Sequence, residues 1–418
     1  MRLPVDPRRM LSVQVRAANF FGAPLRGAIS YEPEALMDKA RKLVNLTDFG
    51  GDEFQEPFRV LARATGRGVD LHLAGRVLAH RELLRCLVNR LKITEYCRRN
   101  PGTDNLPLPD PVVIVGLPRT GTTFLHRLLA QDPGTRTLRA FELLSPVPPG
   151  WGDKETPDLR LANLRRISQV RRQLLLSPHG RIVARSVHHW EADAPEECWP
   201  LLHNSFCSVI FAMHGVGEEY AQWLLEHDIT AAYRYYRLQL QILTAGQSVS
   251  RLVVKHPGHL GHLDELLRVF PNARIVWPHR NPVDVVPSTC GLGMVMLSTR
   301  TAAIVPSRYG PEALKGLVHS ASKGIDARRR HRPEQFLDVD YRELAAHPIA
   351  TARRVHEFLG WQTGPEWQAA LDDYLARDRV SRQGRRYKYT PEDFGLTADR
   401  IRTEFQSYTD RFPWVPRN

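Results

Sequence analysis

One transition constrains the fold of this chain more than any other. At Val112 the apolar run VVIV passes without a break into GLPRTGTT and then into the amphipathic FLHRLL. A short strand that enters a glycine-rich turn and leaves it as a helix is half of a parallel-sheet unit, since a helix must then return the chain for the next strand. The alternation recurs three times. RLVVK (Arg251–Lys255) precedes HLDELLRVF, ARIVW (residues 273–277) precedes PVDVVPSTC, and QFLDVDY (residues 335–341) precedes RELAAHPIATARRVHEFLG. Strands spaced by helix-length segments predict an α/β fold with a central parallel sheet flanked by helices. Ligands of such sheets bind beyond the carboxyl ends of the strands.

Upstream, residues 33–100 read as helical. In LHLAGRVLAHRELLRCLVNRLKITEYC the apolar residues Leu73, Val77, Leu84, Leu87 and Leu91 recur at three- and four-residue steps, the period of a one-sided helix. RNPGTDNLPLPDP (residues 99–111) then breaks regular structure. The expected organisation is a helical segment over 1–110 packing on an α/β core over 111–418. That core includes a mainly helical insertion at 151–247 and a basic tail containing RQGRRYK (residues 382–388). The insertion's apolar stretch CWPLLHNSFCSVIFAMHG is read either as ordinary core or as a wall for a lipophilic acceptor.

Composition excludes several classes. The chain has 418 residues, a quarter of them charged, which is globular rather than disordered usage. Its apolar runs are too short to span a bilayer, and the first twenty residues have no continuous apolar core of a signal peptide. The five cysteines (Cys86, Cys97, Cys198, Cys207, Cys290) show no metal-ligand spacing, so a reduced cytoplasmic compartment without a metal is expected. The net charge of +13 comes from arginines scattered along the chain, with short clusters at 328–332 and 382–388. Nucleic-acid binders concentrate such charge with interleaved aromatics, so no nucleic-acid partner is expected. An anionic small ligand fits the charge better.

The loop has the physics of an anion cradle. Gly116 and Gly121 permit backbone angles that expose consecutive N–H groups, and the following helix points its positive end at them. Thr122 and Thr123 add hydroxyls, Pro118 stiffens the turn and Arg119 supplies a cation, with Thr120 between Arg119 and Gly121. An ATP-binding loop of this P-loop NTPase-like type places lysine after the second glycine, to reach the terminal phosphates. That position is Thr122. A second signature, RIVWPHRNPVDVVPS, puts Arg280 just past a strand and Ser288 about two helical turns on. An arginine with a hydroxyl there would clamp another phosphate. Two phosphate sites on one sheet edge suit a nucleotide phosphorylated at two places, which ATP is not.

Together VGLPRTGTT and HRNPVDVVPS resemble the two cofactor motifs of sulfotransferases that use 3′-phosphoadenosine 5′-phosphosulfate (PAPS), and GLPRTGTT resembles the bacterial members. DAPEEC, VVKHPGHL and YKYTPEDFGL are similar in order and spacing, from about residue 30 almost to the C-terminus. The resemblance implies a P-loop-like fold and transfer of a sulfuryl group to an alcohol, phenol, lipid, sugar or amine, releasing adenosine 3′,5′-bisphosphate (PAP). It implies that backbone amides of residues 119–123 with the hydroxyls of Thr122 and Thr123 hold the 5′-phosphosulfate, and that Arg280 and Ser288 hold the 3′-phosphate. Tyr341 would contact adenine, and Arg385 and Arg386 would add to the 3′-phosphate site.

Arg119 stands where cytosolic relatives carry a lysine. A guanidinium cannot give up its proton, so its implied role is charge stabilisation alone. Relatives place their base close after the strand that here is RLVVK. Both His256 and His259 follow it. KHP departs from the usual Ser/Thr-Pro, which leaves His259 as the better match. Lys255 would steady the transferring group. Glu196 and Glu197 of DAPEEC, with His188 upstream, form a competing carboxylate base, although an acidic pair can also simply open a helix. Two other readings stay open at this level: a P-loop kinase or NTPase with an atypical loop, and a nucleotide binder without chemistry. The sequence leaves the oligomeric state open, a homo-oligomer included.

Overall fold

The computed structural model describes residues 7–67, 70–149, 157–187, 191–381 and 388–415. Its centre is a five-stranded sheet. β1 (Val112–Ile114), β2 (Thr135–Thr137), β3 (Arg251–Lys255), β4 (Arg274–His279) and β5 (Phe336–Asp340) lie in the order β2-β3-β1-β4-β5. All four pairings are parallel, with Val113 opposite Val254 on one side and Ile275 on the other. Both neighbours of β1 come from far later in the chain. Strand order therefore reverses at β1, which opens a crevice beyond its carboxyl end.

Four of these strands sit where the sequence pattern places them. β2 does not announce itself. Thr-Arg-Thr is half-buried at the sheet edge and too short and polar to show a period. β4 runs two residues past the apolar ARIVW, and Tyr341 opens a helix (Tyr341–Ala346) rather than ending β5.

The central strands β3, β1 and β4 are buried on both faces, and the strand side chains divide by alternation. Val113, Val115, Leu252, Val254, Ile275 and Trp277 point into one apolar cluster. Val112, Ile114, Val253, Val276 and Val339 point into the other, under the Thr122–Leu129 and Pro348–Leu359 helices. The first cluster also takes in Leu36, Phe58, Leu61, Leu83, Leu87 and Leu91. The N-terminal helices thus share a core with the sheet.

The long Leu73–Arg99 helix corrects one expectation. Leu87 and Leu91 are buried as the period predicts, whereas Val77 is exposed and Leu73 and Leu84 are half-buried; Ala79, Leu83 and Cys86 complete the buried face. The apolar stretch after Cys198 resolves in favour of core: Leu201, Leu202, Phe206, Cys207, Phe211 and Tyr220 are all buried in the first cluster. The arginines at 328–330 face carboxylates, Arg328 to Asp338, Arg329 to Asp326 and Arg330 to Asp264. No helix among the described residues is long and apolar enough to cross a membrane.

Candidate active site

The loop after β1 is built by strain that glycine absorbs. Gly116 and Gly121 have φ of 124° and 90°. A Cβ on Gly116 would sit 2.9 Å from the Pro278 carbonyl, and one on Gly121 would sit 3.0 Å from the Tyr341 ring. Arg119 also takes a positive φ, 68°. For a side chain with a Cβ that costs about 1–3 kcal/mol, and it turns the guanidinium across the loop. The Thr120 hydroxyl donates back to the Leu117 carbonyl at 2.7 Å, so Thr120 braces the turn from inside. The Thr122–Leu129 helix begins with no side-chain cap. Its first-turn N–H groups and positive dipole end face the loop, an arrangement that suits an anion.

The second signature closes on the first. Arg119 donates through Nε to Ser288 Oγ at 3.0 Å, and Arg280 donates through Nη1 to the Arg119 carbonyl at 3.2 Å. Arg280 also lies 4.5 Å above the Tyr341 ring, a cation–π contact that fixes its direction. Asp284, one helical turn on, comes within 3.6 Å of its other amine. Pro118, Arg119, Gly121, Thr123, Arg280, Ser288 and Tyr341 are half-buried, so their side chains or backbone reach the crevice surface.

A third group of residues meets the loop from β3. Lys255 is fully buried. Its Nζ donates to Glu197 Oε1 at 2.7 Å and to Thr123 Oγ1 at 3.1 Å. Burying an ammonium costs several kcal/mol unless it is paired, and Glu197 supplies that pairing. The other carboxylate oxygen stands 3.5 Å from His256 Nδ1. Burial alone would raise the Glu197 carboxyl, but Lys255 and His256 outweigh it and hold the group well below the usual carboxylate range. Burial pushes the His256 ring below its ordinary 6.5, partly offset by Glu197. A neutral imidazole beside an ionised carboxylate results.

The other proposed bases fall elsewhere. His259 is fully buried. Its Nδ1 lies 2.8 Å from the Tyr233 hydroxyl and its Nε2 lies 3.2 Å from Cys198 Sγ. Both ring nitrogens of His259 thus have partners in the core, and His256 is buried beside it. Glu196 is buried, and its Oε1 accepts the Glu197 N–H at 2.8 Å. The pair does not open a helix, because the next one starts at Trp199. Arg385, Arg386 and His188 lie outside the described residues. What the sequence reading did not show is the Lys255–Thr123 bond. No pattern joins a strand-end lysine to a hydroxyl 132 positions away.

Fold and crevice define a nucleotide-dependent group transferase whose phosphate loop lacks the ATP lysine. The chain belongs to the sulfotransferase family, whose model matches residues 111–365; it is a sulfotransferase, and the kinase reading falls away. It is 25% identical over 297 residues, 69% of its length and 72% of the relative's, to the omega-hydroxy-beta-dihydromenaquinone-9 sulfotransferase Stf3 of Mycobacterium tuberculosis. Among solved structures it is similar to sulfotransferase STF1 of Mycobacterium tuberculosis, with 28% identity, TM-score 0.78, and coverage of 90% of this chain and 98% of that one. It is also similar to STF9 of Mycobacterium avium, with 25% identity, TM-score 0.79 and coverage of 92% and 97%.

Proposed function

We propose that this sulfotransferase takes its sulfuryl group from PAPS and passes it to the hydroxyl of a lipophilic acceptor, releasing PAP. The observation that carries the donor assignment is the joining of the two motifs through Arg119, which is bonded to Ser288 and to Arg280. Two anion-holding elements then face one crevice, as a nucleotide with phosphates at both ends of its ribose requires. The donor, when bound, contributes a sulfuryl group already activated by its link to the 5′-phosphate.

The residues divide the remaining work. N–H groups of residues 119–123 with the hydroxyls of Thr122 and Thr123 hold the 5′ end, and Gly116 and Gly121 leave the backbone bare for it. Ser288 accepts from Arg119 and keeps its own O–H to donate to the 3′-phosphate beside Arg280. Tyr341, between Gly121 and Arg280, borders the adenine. His256 takes the acceptor's proton as the acceptor oxygen bonds to sulfur and the bond from sulfur to the 5′-phosphate oxygen breaks. Glu197 orients His256 and steadies its cationic form. Arg119 and Lys255 balance the charge that collects on the departing phosphate.

The acceptor class rests on the relative that acts on an omega-hydroxylated menaquinone; the apolar stretch after Cys198 is core and does not bear on it. The test is incubation with radiolabelled PAPS and three acceptors: a long-chain polyprenol, a simple phenol and a soluble hexose. Label on the polyprenol above the others supports the reading. Label on the hexose alone overturns it.

A further inference from the structure

We infer that this sulfotransferase docks on an anionic membrane surface through a face made by residues 9–28 and 159–182. Two helices there, Val13–Phe21 and Arg160–Leu175, bury none of their residues. They are nonetheless held together: the Ser12 N–H donates to the Leu175 carbonyl at 3.0 Å, its hydroxyl donates to the Leu174 carbonyl at 2.6 Å, and Leu11 bridges Leu176. The face is therefore built, yet it packs on nothing outward.

What it displays is apolar. Nine of the thirteen exposed large hydrophobic side chains described lie on it, including Phe20 at 76%, Phe21 at 79%, Leu174 at 63% and Ile182 at 61% exposure. A monomer rarely gathers so many in one region without a partner.

The charge selects the partner. Residues 9–28 and 159–182 contain nine arginines and no carboxylate, and of these Arg26, Arg160 and Arg165 pair with Asp70, Asp158 and Asp193. An open groove of about 740 Å³ between the two elements is lined by Arg9, Arg16 and Arg181 with Leu11, Val13 and Leu176, and no acidic residue lines it. None of these three arginines pairs with a carboxylate among the described residues. A second copy of the chain would set the same arginines against themselves in a two-fold contact. Phospholipid headgroups of negative charge with acyl chains beneath them complement both the arginines and the phenylalanines.

The experiment is flotation of the full chain with vesicles of phosphatidylglycerol and phosphatidylcholine, against vesicles of phosphatidylcholine alone. We expect binding to the anionic vesicles only. The triple variant Arg9→Gln, Arg16→Gln, Arg181→Gln is expected to weaken binding about a hundredfold, since each basic residue near such a surface contributes roughly fivefold. The pair Phe20→Ser, Phe21→Ser is expected to weaken it as well. PAP affinity should stay unchanged in both, which separates a failed docking face from a failed donor site. Equal flotation with neutral vesicles, no flotation, flotation untouched by both variants, or variants that instead dissolve an oligomer in sedimentation would each overturn the inference.

Discussion

Arg119 Nε lies 3.0 Å from Ser288 Oγ, and this bond ties the loop after β1 to the helix after β4. Because Arg280 donates to the Arg119 carbonyl, the halves of the proposed donor site form one unit. Replacing Arg119 by lysine keeps the charge but loses the planar fork. A bond to a charged group contributes about 1.5–3 kcal/mol. We expect Arg119→Lys to weaken PAP binding tenfold or more in calorimetric titration, with an unchanged melting temperature.

Gly121 has no room for a side chain. With φ at 90° and Tyr341 and Leu344 at 3.0–3.1 Å from an added Cβ, Gly121→Ala is expected to destabilise the fold by about 2 kcal/mol. It should also displace Tyr341 from under Arg280. Urea unfolding together with PAP titration checks both effects.

His256 and Glu197 set a pH limb. With neutral His256 as the proposed proton acceptor, activity is expected to fall as pH drops through its pKa. Burial lowers that pKa, which puts the limb on the acid side of 6.5. Glu197 raises it, so Glu197→Gln is expected to move the limb of kcat still further toward acid while lowering kcat. His256→Asn should lower kcat about a hundredfold. A limb that stays put in Glu197→Gln would remove His256 from this role.

His259 and Lys255 separate structure from chemistry. His259→Gln disturbs contacts with Tyr233 and Cys198, so thermal stability should fall while PAPS turnover at low temperature persists. Lys255→Met leaves Glu197 without its ammonium partner and is expected to cut kcat by two to three orders of magnitude, about what the loss of one oxyanion-stabilising donor costs. Comparing melting curves with kcat for the two variants distinguishes them.

Asp338 anchors the far side of β4. It accepts from Arg328 at 3.0 Å and lies 2.9 Å from His279 Nε2. Burial would raise its carboxyl, but His279 and Arg328 hold it at about 2 instead of 3.8. That stability is present above 3.8 and is lost as pH falls toward about 2. Asp338→Asn should therefore cost roughly 3 kcal/mol at neutral pH, with the gap to wild type closing over that acid range in urea titrations.

The sheet was legible because buried parallel strands read as apolar runs and the helices between them carry a 3.6-residue period. β2 was not, since a three-residue edge strand such as Thr135–Thr137 has neither signal. At the site, the loop, Arg280, Ser288 and Tyr341 could be placed from the strands they follow, because topology brings strand ends together. The partners of Glu196, Glu197, His256 and His259 needed three dimensions: sequence order does not show side-chain direction, which puts His259 against Tyr233 and Glu197, 58 positions upstream, against Lys255.

The crevice is expected to bind a nucleotide with a 3′-phosphate and not ATP. Calorimetric titration with PAP and with ATP, in EDTA, on wild type and Arg280→Ala tests it most directly. We expect tight PAP binding, weak ATP binding and a loss of ten- to a hundredfold for PAP in the variant. ATP binding as tightly as PAP, with Arg280→Ala indistinguishable from wild type, would contradict it.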